Sequence, residues 1–205
     1  MRDFMSDQLY PQPIEKLIKT VLDGLEKGVV FGIYNSLFFQ PDKDDPFKTK
    51  WFHQNLDTPI GMAAGPHTQM AQNIIAGWLC GARYIELKTV QTLDEIEVSK
   101  PCIDISDEGY NCEWSQELKI HESYEEYLKA WIIIHILQHE LGMAKLGTIF
   151  NMSVGYDMKG ILQENVQWFF RKMADCSEEK AEMIAQISDI YPKIKKIKIP
   201  NKISD

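Results

Sequence analysis

Apolar residues recur at helical spacing near the start of the chain. Ile14, Leu17, Ile18, Val21, Leu22 and Leu25 fall three and four apart in PIEKLIKTVLDGLEK, which predicts a helix over 13–27 with one face on a core. Pro13 suits its first turn and Gly28 its stop. A polar stretch, PDKDDP over 41–46, reads as a loop, and residues 48–56 as a short strand ending in a turn at Asn55-Leu56-Asp57. Pro59 to Ala64 is short and apolar, as a fully buried parallel strand would be. Gly65-Pro66 breaks it, a helix follows from about Gln69 to Leu79, and Tyr84 to Val90 forms a second strand.

Residues 91–121 show no sustained period. The pattern resumes with a long helix over 123–141, Ser123 capping it and Glu126 completing a capping box. Gly147 to Val154 reads as a third buried strand, and Gly155-Tyr156-Asp157 as a turn. Two helices follow, over 160–174 and 177–191, the second capped by Ser177 with Glu178 and Glu179 in its first turn. The tail, IKKIKIPNKISD, fits no single period. This alternation is α/β with parallel strands. Both a doubly wound sheet and a (β/α)₈ barrel remain open, though three core strands would make only part of a barrel, which typically takes about 250 residues.

Length and charge narrow the picture. The 205 residues suffice for one domain with a real core, and the net charge of −8 argues against a nucleic-acid backbone as partner. No apolar run has the length of a membrane span, and the N-terminus, MRDFMSDQLYPQP, lacks the apolar core of a secretory signal. Cys80, Cys102, Cys112 and Cys176 show neither C-x-x-C nor iron–sulfur spacing. The expected compartment is the cytoplasm, with reduced thiols.

The chemical signals gather at strand ends. Lys88 stands near the end of a strand that should otherwise stay apolar, where a cation can neutralise an anion or an electron-rich ring; a lysine can also snorkel there to solvent. Ala63, Ala64 and Gly65 are small enough to let a flat ligand approach backbone, or they form an ordinary tight turn. His67 follows that turn and would face the same site, or serve only as a helix-entry residue. Asn111, in GYNCEWSQEL, can read a heterocycle's donors and acceptors, or close an Asx-turn. Cys112 has no base at a meaningful spacing and reads as a structural thiol. His135 and His139 lie four apart, but Ile136 stands where a zinc protease needs glutamate, so no metal site is expected. Asn151, on the third strand, could face the barrel interior or a ligand.

Taken together, AAGPHTQMAQNIIAGWLCGARYIELKTVQTLDEIEVSKPCIDI, GYNCEWSQEL, EYLKAW and NMSVGYDMKGI resemble a known family. They are similar to the start of the FMN-binding (β/α)₈ barrel shared by dihydroorotate and dihydropyrimidine dehydrogenases. The likeness is densest to the N-terminal barrel of the selenate reductase subunit family, and runs from about residue 8 to 170. The resemblance implies that the Ala63-Ala64-Gly65 segment lies against FMN. It implies that Lys88 contacts the isoalloxazine, that Thr89 is its small polar neighbour, and that Asn111 addresses the flavin or the substrate ring, with His67 beside the substrate. It implies hydride transfer between flavin and a small heterocycle.

The family's catalytic cysteine or serine and its later strands have no counterpart before Asp205, so no catalytic residue is expected in this chain. The expected architecture is a partial (β/α)₈ barrel of about three β/α units. Residues 1–57 would supply an N-terminal helix and barrel-bottom segment, and 58–205 the first half of the flavin-binding barrel, a truncated one. A downstream segment or second chain would complete it, together with iron–sulfur and dinucleotide-binding domains. Alternatively the half-barrel acts only as an assembly module for such a partner.

Overall fold

The computed structural model describes residues 9–42, 44–90, 92, 117–143, 147–155 and 157–204, and the backbone of 103–104 and 110–111. Helix α1 (Ile14–Lys27) buries Ile14, Leu17, Ile18 and Val21, the face its spacing predicts. Pro13 stands one position before the helix rather than inside it. Gly28 ends it with φ 78°, and its N–H donates to the carbonyls of Gly24 and Leu25. That left-handed conformation carries no steric cost without a Cβ. A small antiparallel pair follows, β1 (Val29–Val30) with β2 (Ile33–Tyr34).

The single strand expected over 48–56 is a hairpin. Strand β3 (Thr49–Trp51) pairs antiparallel with β4 (Gln54–Leu56). The chain reverses at Phe52 and His53, both with positive φ (46° and 60°). Two consecutive left-handed residues make the turn whose twist suits a two-residue hairpin. Phe-His carries none of the Asn-Gly or Asp-Gly signal for it, so the sequence reads as one strand.

Three parallel strands carry the site: β5 (Gly61–Met62), then, beyond helix α2 (Ala71–Leu79), β6 (Tyr84–Glu86), and later β9 (Ile149–Asn151), in the order β5-β6-β9. Gly61 pairs with Tyr84, and Tyr84, Ile85 and Glu86 pair with Ile149, Phe150 and Asn151. The first strand is not the fully buried element expected over 59–64. It lies at the sheet edge, with Ile60 63% exposed. Its sequence is apolar, but only its Met62 side chain is packed inward, close against Gly77 of α2. Within the stretch expected to be irregular, β7 (Ile103–Asp104) pairs antiparallel with β8 (Tyr110–Asn111).

Helix α3 (Ile120–Glu140) is the centre of the core, packed against α2 and against two later helices, α5 (Glu164–Ala174) and α6 (Ser177–Ile187). Contact on several sides buries nearly every residue from Tyr124 to Leu137, which suits an element apolar around most of its circumference. It starts three residues earlier than expected, and Ser123 is buried within it rather than capping it. Glu122 accepts from the Lys119 N–H instead (2.9 Å).

The helix expected over 160–174 divides into α4 (Met158–Ile161) and α5. Asp157 caps α4 by accepting from the Gly160 N–H at 2.7 Å. Ser177 is the first residue of α6 and not its cap; the Asp175 carboxylate accepts the Ser177 N–H. Beyond a 3₁₀ turn over Pro192–Lys196, the tail buries Ile199, Ile203 and Ser204 against α5 and β9. The described residues thus hold a three-stranded parallel sheet with strands in chain order, part of a barrel rather than a closed one. Among them no helix is long and apolar enough to cross a membrane.

Candidate functional site

The opposite faces of β6 differ. Ile85 and Leu87 are fully buried against the helices, whereas Tyr84 and Glu86, alternating with them, are half-buried on the other face. The regular ladder stops at Glu86, although the sequence suggests a strand as far as Val90. Pairing resumes where Val90 bridges Val154. Four residue steps separate Glu86 from Val90, but only three separate their partners Asn151 and Val154. The extra residue makes a bulge at Lys88-Thr89, a device that re-aims side chains beside functional sites.

The bulge has a direct consequence for the two residues. Leu87 donates its N–H to Asn151 and Val90 to Ser153, and both side chains lie in the helix-side core. With plain alternation Thr89 would share that face with Leu87. The bulge leaves it half-buried beside Lys88 instead, its hydroxyl 3.1 Å from Ser153 Oγ. Lys88 itself is 7% exposed. It does not snorkel freely to solvent.

The Ala63-Ala64-Gly65 segment leaves β5 next to this strand end. Ala63 is exposed, Ala64 half-buried and Gly65 buried. Ala64 donates its N–H to Glu86 Oε2 (3.4 Å). Gly65 donates to Thr68 Oγ1 (3.1 Å), and that hydroxyl returns a bond to the Gly65 carbonyl (3.0 Å). Two amides of the segment are therefore already used. What it offers a ligand is small, apolar backbone surface and not an anion-binding nest. Gly65 is extended, so its lack of a side chain matters for space: a Cβ there would lie 2.8 Å from Cε1 of the exposed His67 ring.

The structure brings Ala63, Ala64, Gly65, His67, Lys88 and Thr89 to neighbouring strand ends. Asn111 is described only through its backbone, which pairs with Ile103; its side chain, and Cys102 and Cys112, lie outside the described residues. Asn151 sits in register with Glu86 and borders a cavity of about 640 Å³. Trp131, Phe52 and Lys202 also line that cavity. His135 is committed to the core, its Nδ1 2.8 Å from the Trp131 carbonyl. Among the described residues no group of histidines, cysteines and carboxylates is placed to hold a metal.

Sequence reasoning passed over Glu86 and Thr68, which fix the Ala63–Gly65 segment. Both had signals. A carboxylate two residues before Lys88 in an otherwise apolar strand repeats the anomaly that singled out Lys88. A threonine three residues after Gly65 has the spacing of a local side-chain turn. The Glu86 charge is also felt nearby, where Tyr84 is held above its ordinary pKa by burial and then by that carboxylate.

This arrangement, a bulged parallel strand beside a small-residue turn, sits in a chain whose relatives are known. A family model described as oxidoreductase YgfK, N-terminal TIM-barrel domain, matches residues 31–204. Over 193 residues the chain is 43% identical to the protein named "Putative oxidoreductase YgfK" of Escherichia coli K12, and equally to that of strain O157:H7. The match covers 93% of this chain and 18% of those relatives, so the chain spans about a fifth of their length. With the family model covering most of its residues, the chain belongs to the oxidoreductase YgfK N-terminal TIM-barrel domain family.

Proposed function

We propose that the chain is the flavin-holding portion of an FMN-dependent oxidoreductase acting on a small heterocycle in the cytoplasm. The observation that carries this reading is the Lys88-Thr89 bulge beside the Ala63–Gly65 segment. The residues fit such a group: a flat apolar floor for a ring system, one cation, and one small hydroxyl at its border. Bound there, FMN would supply the two-electron hydride chemistry. Ala63 and Ala64 would give the ring a surface that excludes water from one face. Lys88 would place positive charge where negative charge gathers on reduction, and its low exposure strengthens that effect. Thr89 would donate or accept at the ring's polar edge, and Asn111 and His67 would orient the substrate.

A second reading draws on the sheet's unpaired edges. Among the described residues β5 and β9 each have a strand partner on one side only, and Trp51, Phe52 and Ile60 are more than half exposed. A segment or partner chain supplying further strands would cover them, and in the full assembly would bring the acid–base residue, iron–sulfur and dinucleotide-binding domains.

The test is FMN uptake, followed by flavin fluorescence, in this chain and in the chain joined to the sequence that follows it in its relatives. Lys88→Met keeps side-chain length and removes the charge. The bound flavin should then become harder to reduce by on the order of 30–60 mV, the equivalent of one lost charge-assisted hydrogen bond. Absence of FMN uptake in both proteins, or an unchanged potential in the variant, would overturn the reading of Lys88.

A further inference from the structure

A bulge leaves backbone groups out of the ladder, and a buried carbonyl without a partner is costly. Leu87 and Val90 contribute their N–H groups to β9, but the carbonyl of Lys88, which lies between them, is met from the other side of the sheet. The hydroxyl of Tyr127, on α3, donates to it at 2.9 Å. Tyr127 is fully buried, and its ring packs edge-on against Phe169 with centroids 6.3 Å apart. A tyrosine at this depth could have been a phenylalanine at no loss of packing, so its hydroxyl needs a reason. The Lys88 carbonyl accepts from it, and the buried Ser123 side chain is its other polar neighbour.

We infer that Tyr127 is a positioning residue that locks the Lys88-Thr89 bulge and thereby aims both side chains at the site. The inference rests on the flavin reading for what the site holds, but not for the lock itself. On the helix Tyr127 lies between the buried Glu126 and Leu128, in a stretch packed against α2 and α5. The hydroxyl therefore transmits a fixed position from the core to the strand end. Without it, the strand can recover a satisfied carbonyl only by shifting the bulge, which moves Lys88 and Thr89 together.

Tyr127→Phe removes only the hydroxyl. The first measurement needs no flavin: lysine acetylation by a small anhydride, followed residue by residue by mass spectrometry. Lys88 is 7% exposed and Lys129, two positions along α3 from Tyr127 and paired with Glu126, is 6% exposed, so both start protected. Lys88 should acetylate about fivefold faster in the variant, the change expected from one lost hydrogen bond of ordinary net strength, while Lys129 stays unchanged. Equal Lys88 rates in the two proteins, or a matched rise at Lys88 and Lys129, would overturn the lock and indicate ordinary core packing. Thermal unfolding by circular dichroism verifies that the variant is folded under the labelling conditions.

The second measurement is a double-mutant cycle on FMN affinity with Tyr127→Phe and Lys88→Met. Tyr127→Phe should weaken FMN binding severalfold in the parent and clearly less when Lys88 is already methionine, the remainder acting through Thr89. Additive effects would show that Tyr127 does not act through Lys88. If neither this chain nor the chain joined to its following sequence takes up FMN, the flavin reading fails, and the acetylation result alone decides the lock.

Discussion

At the scale of single residues, what a group is buried against decides its chemistry more than its type does. Cys80 and Cys176 are both free thiols, but Cys80 is exposed and Cys176 is buried. Burial pushes the Cys176 thiol up to about 11, against an ordinary 9.0, with Lys180 opposing the shift. Between those values the unfolded thiol has lost its proton and the folded one keeps it. Unfolding therefore releases a proton, and stability falls as pH rises through that window. From pH 8.5 to 10.5 the parent should lose about 1.5 kcal/mol more stability than Cys176→Ala, measured by urea unfolding at each pH. A pH dependence identical in both proteins would remove Cys176 as the cause.

At the scale of elements, the helices are tied to one another by buried polar side chains. The N-terminus of α2 is completed by a residue 55 positions away, where Glu126 on α3 accepts the Ala71 N–H at 2.7 Å. The other carboxylate oxygen holds Lys129 at 2.8 Å, and both side chains are almost wholly buried. Glu126→Gln would leave the Lys129 ammonium buried without its counter-charge, a change expected to cost on the order of 3 kcal/mol. It should also speed hydrogen exchange at the Ala71 amide, because a neutral amide is a poorer acceptor for the helix end. A stability loss under 1 kcal/mol, with Ala71 exchange unchanged, would mean that the tie contributes little.

At the scale of the whole molecule, the tail closes the core. Ile203 donates its N–H to the Met173 carbonyl, Cys176 donates to Asn201, and Ser204 Oγ accepts the Met152 N–H beside β9. Lys180 reaches the Ile199 carbonyl at 2.7 Å. Residues with no secondary-structure signal are therefore core residues. Ile203→Ala should destabilise by about 2–4 kcal/mol, the range for deleting a buried aliphatic side chain. Urea unfolding measures this directly, and a loss within 0.5 kcal/mol would show that the tail is only laid on the surface.

The sequence by itself determined the elements whose signals are local. The apolar stripe of α1, the strand–helix–strand order from Gly61 to Glu86, and Lys88 as an anomaly at a strand end are legible because each depends on neighbours within a few residues. The low bulk of residues 63–65 at the end of β5 was likewise legible in advance, since lack of bulk is a property of the residue alone. Only the tertiary structure decided the hairpin at Phe52-His53, the edge position of β5, the cap on α2 from Glu126, and the burial of the tail. Arg83 makes the same point: its guanidinium is wholly buried, lies over Trp78 and Phe39, and faces Asp57 at 3.7 Å. The Lys88-Thr89 bulge belongs to this second class as well. A bulge is a mismatch in length between two strands, and here the strands lie more than sixty residues apart. No local pattern encodes such a mismatch, because it exists only once the two strands are paired.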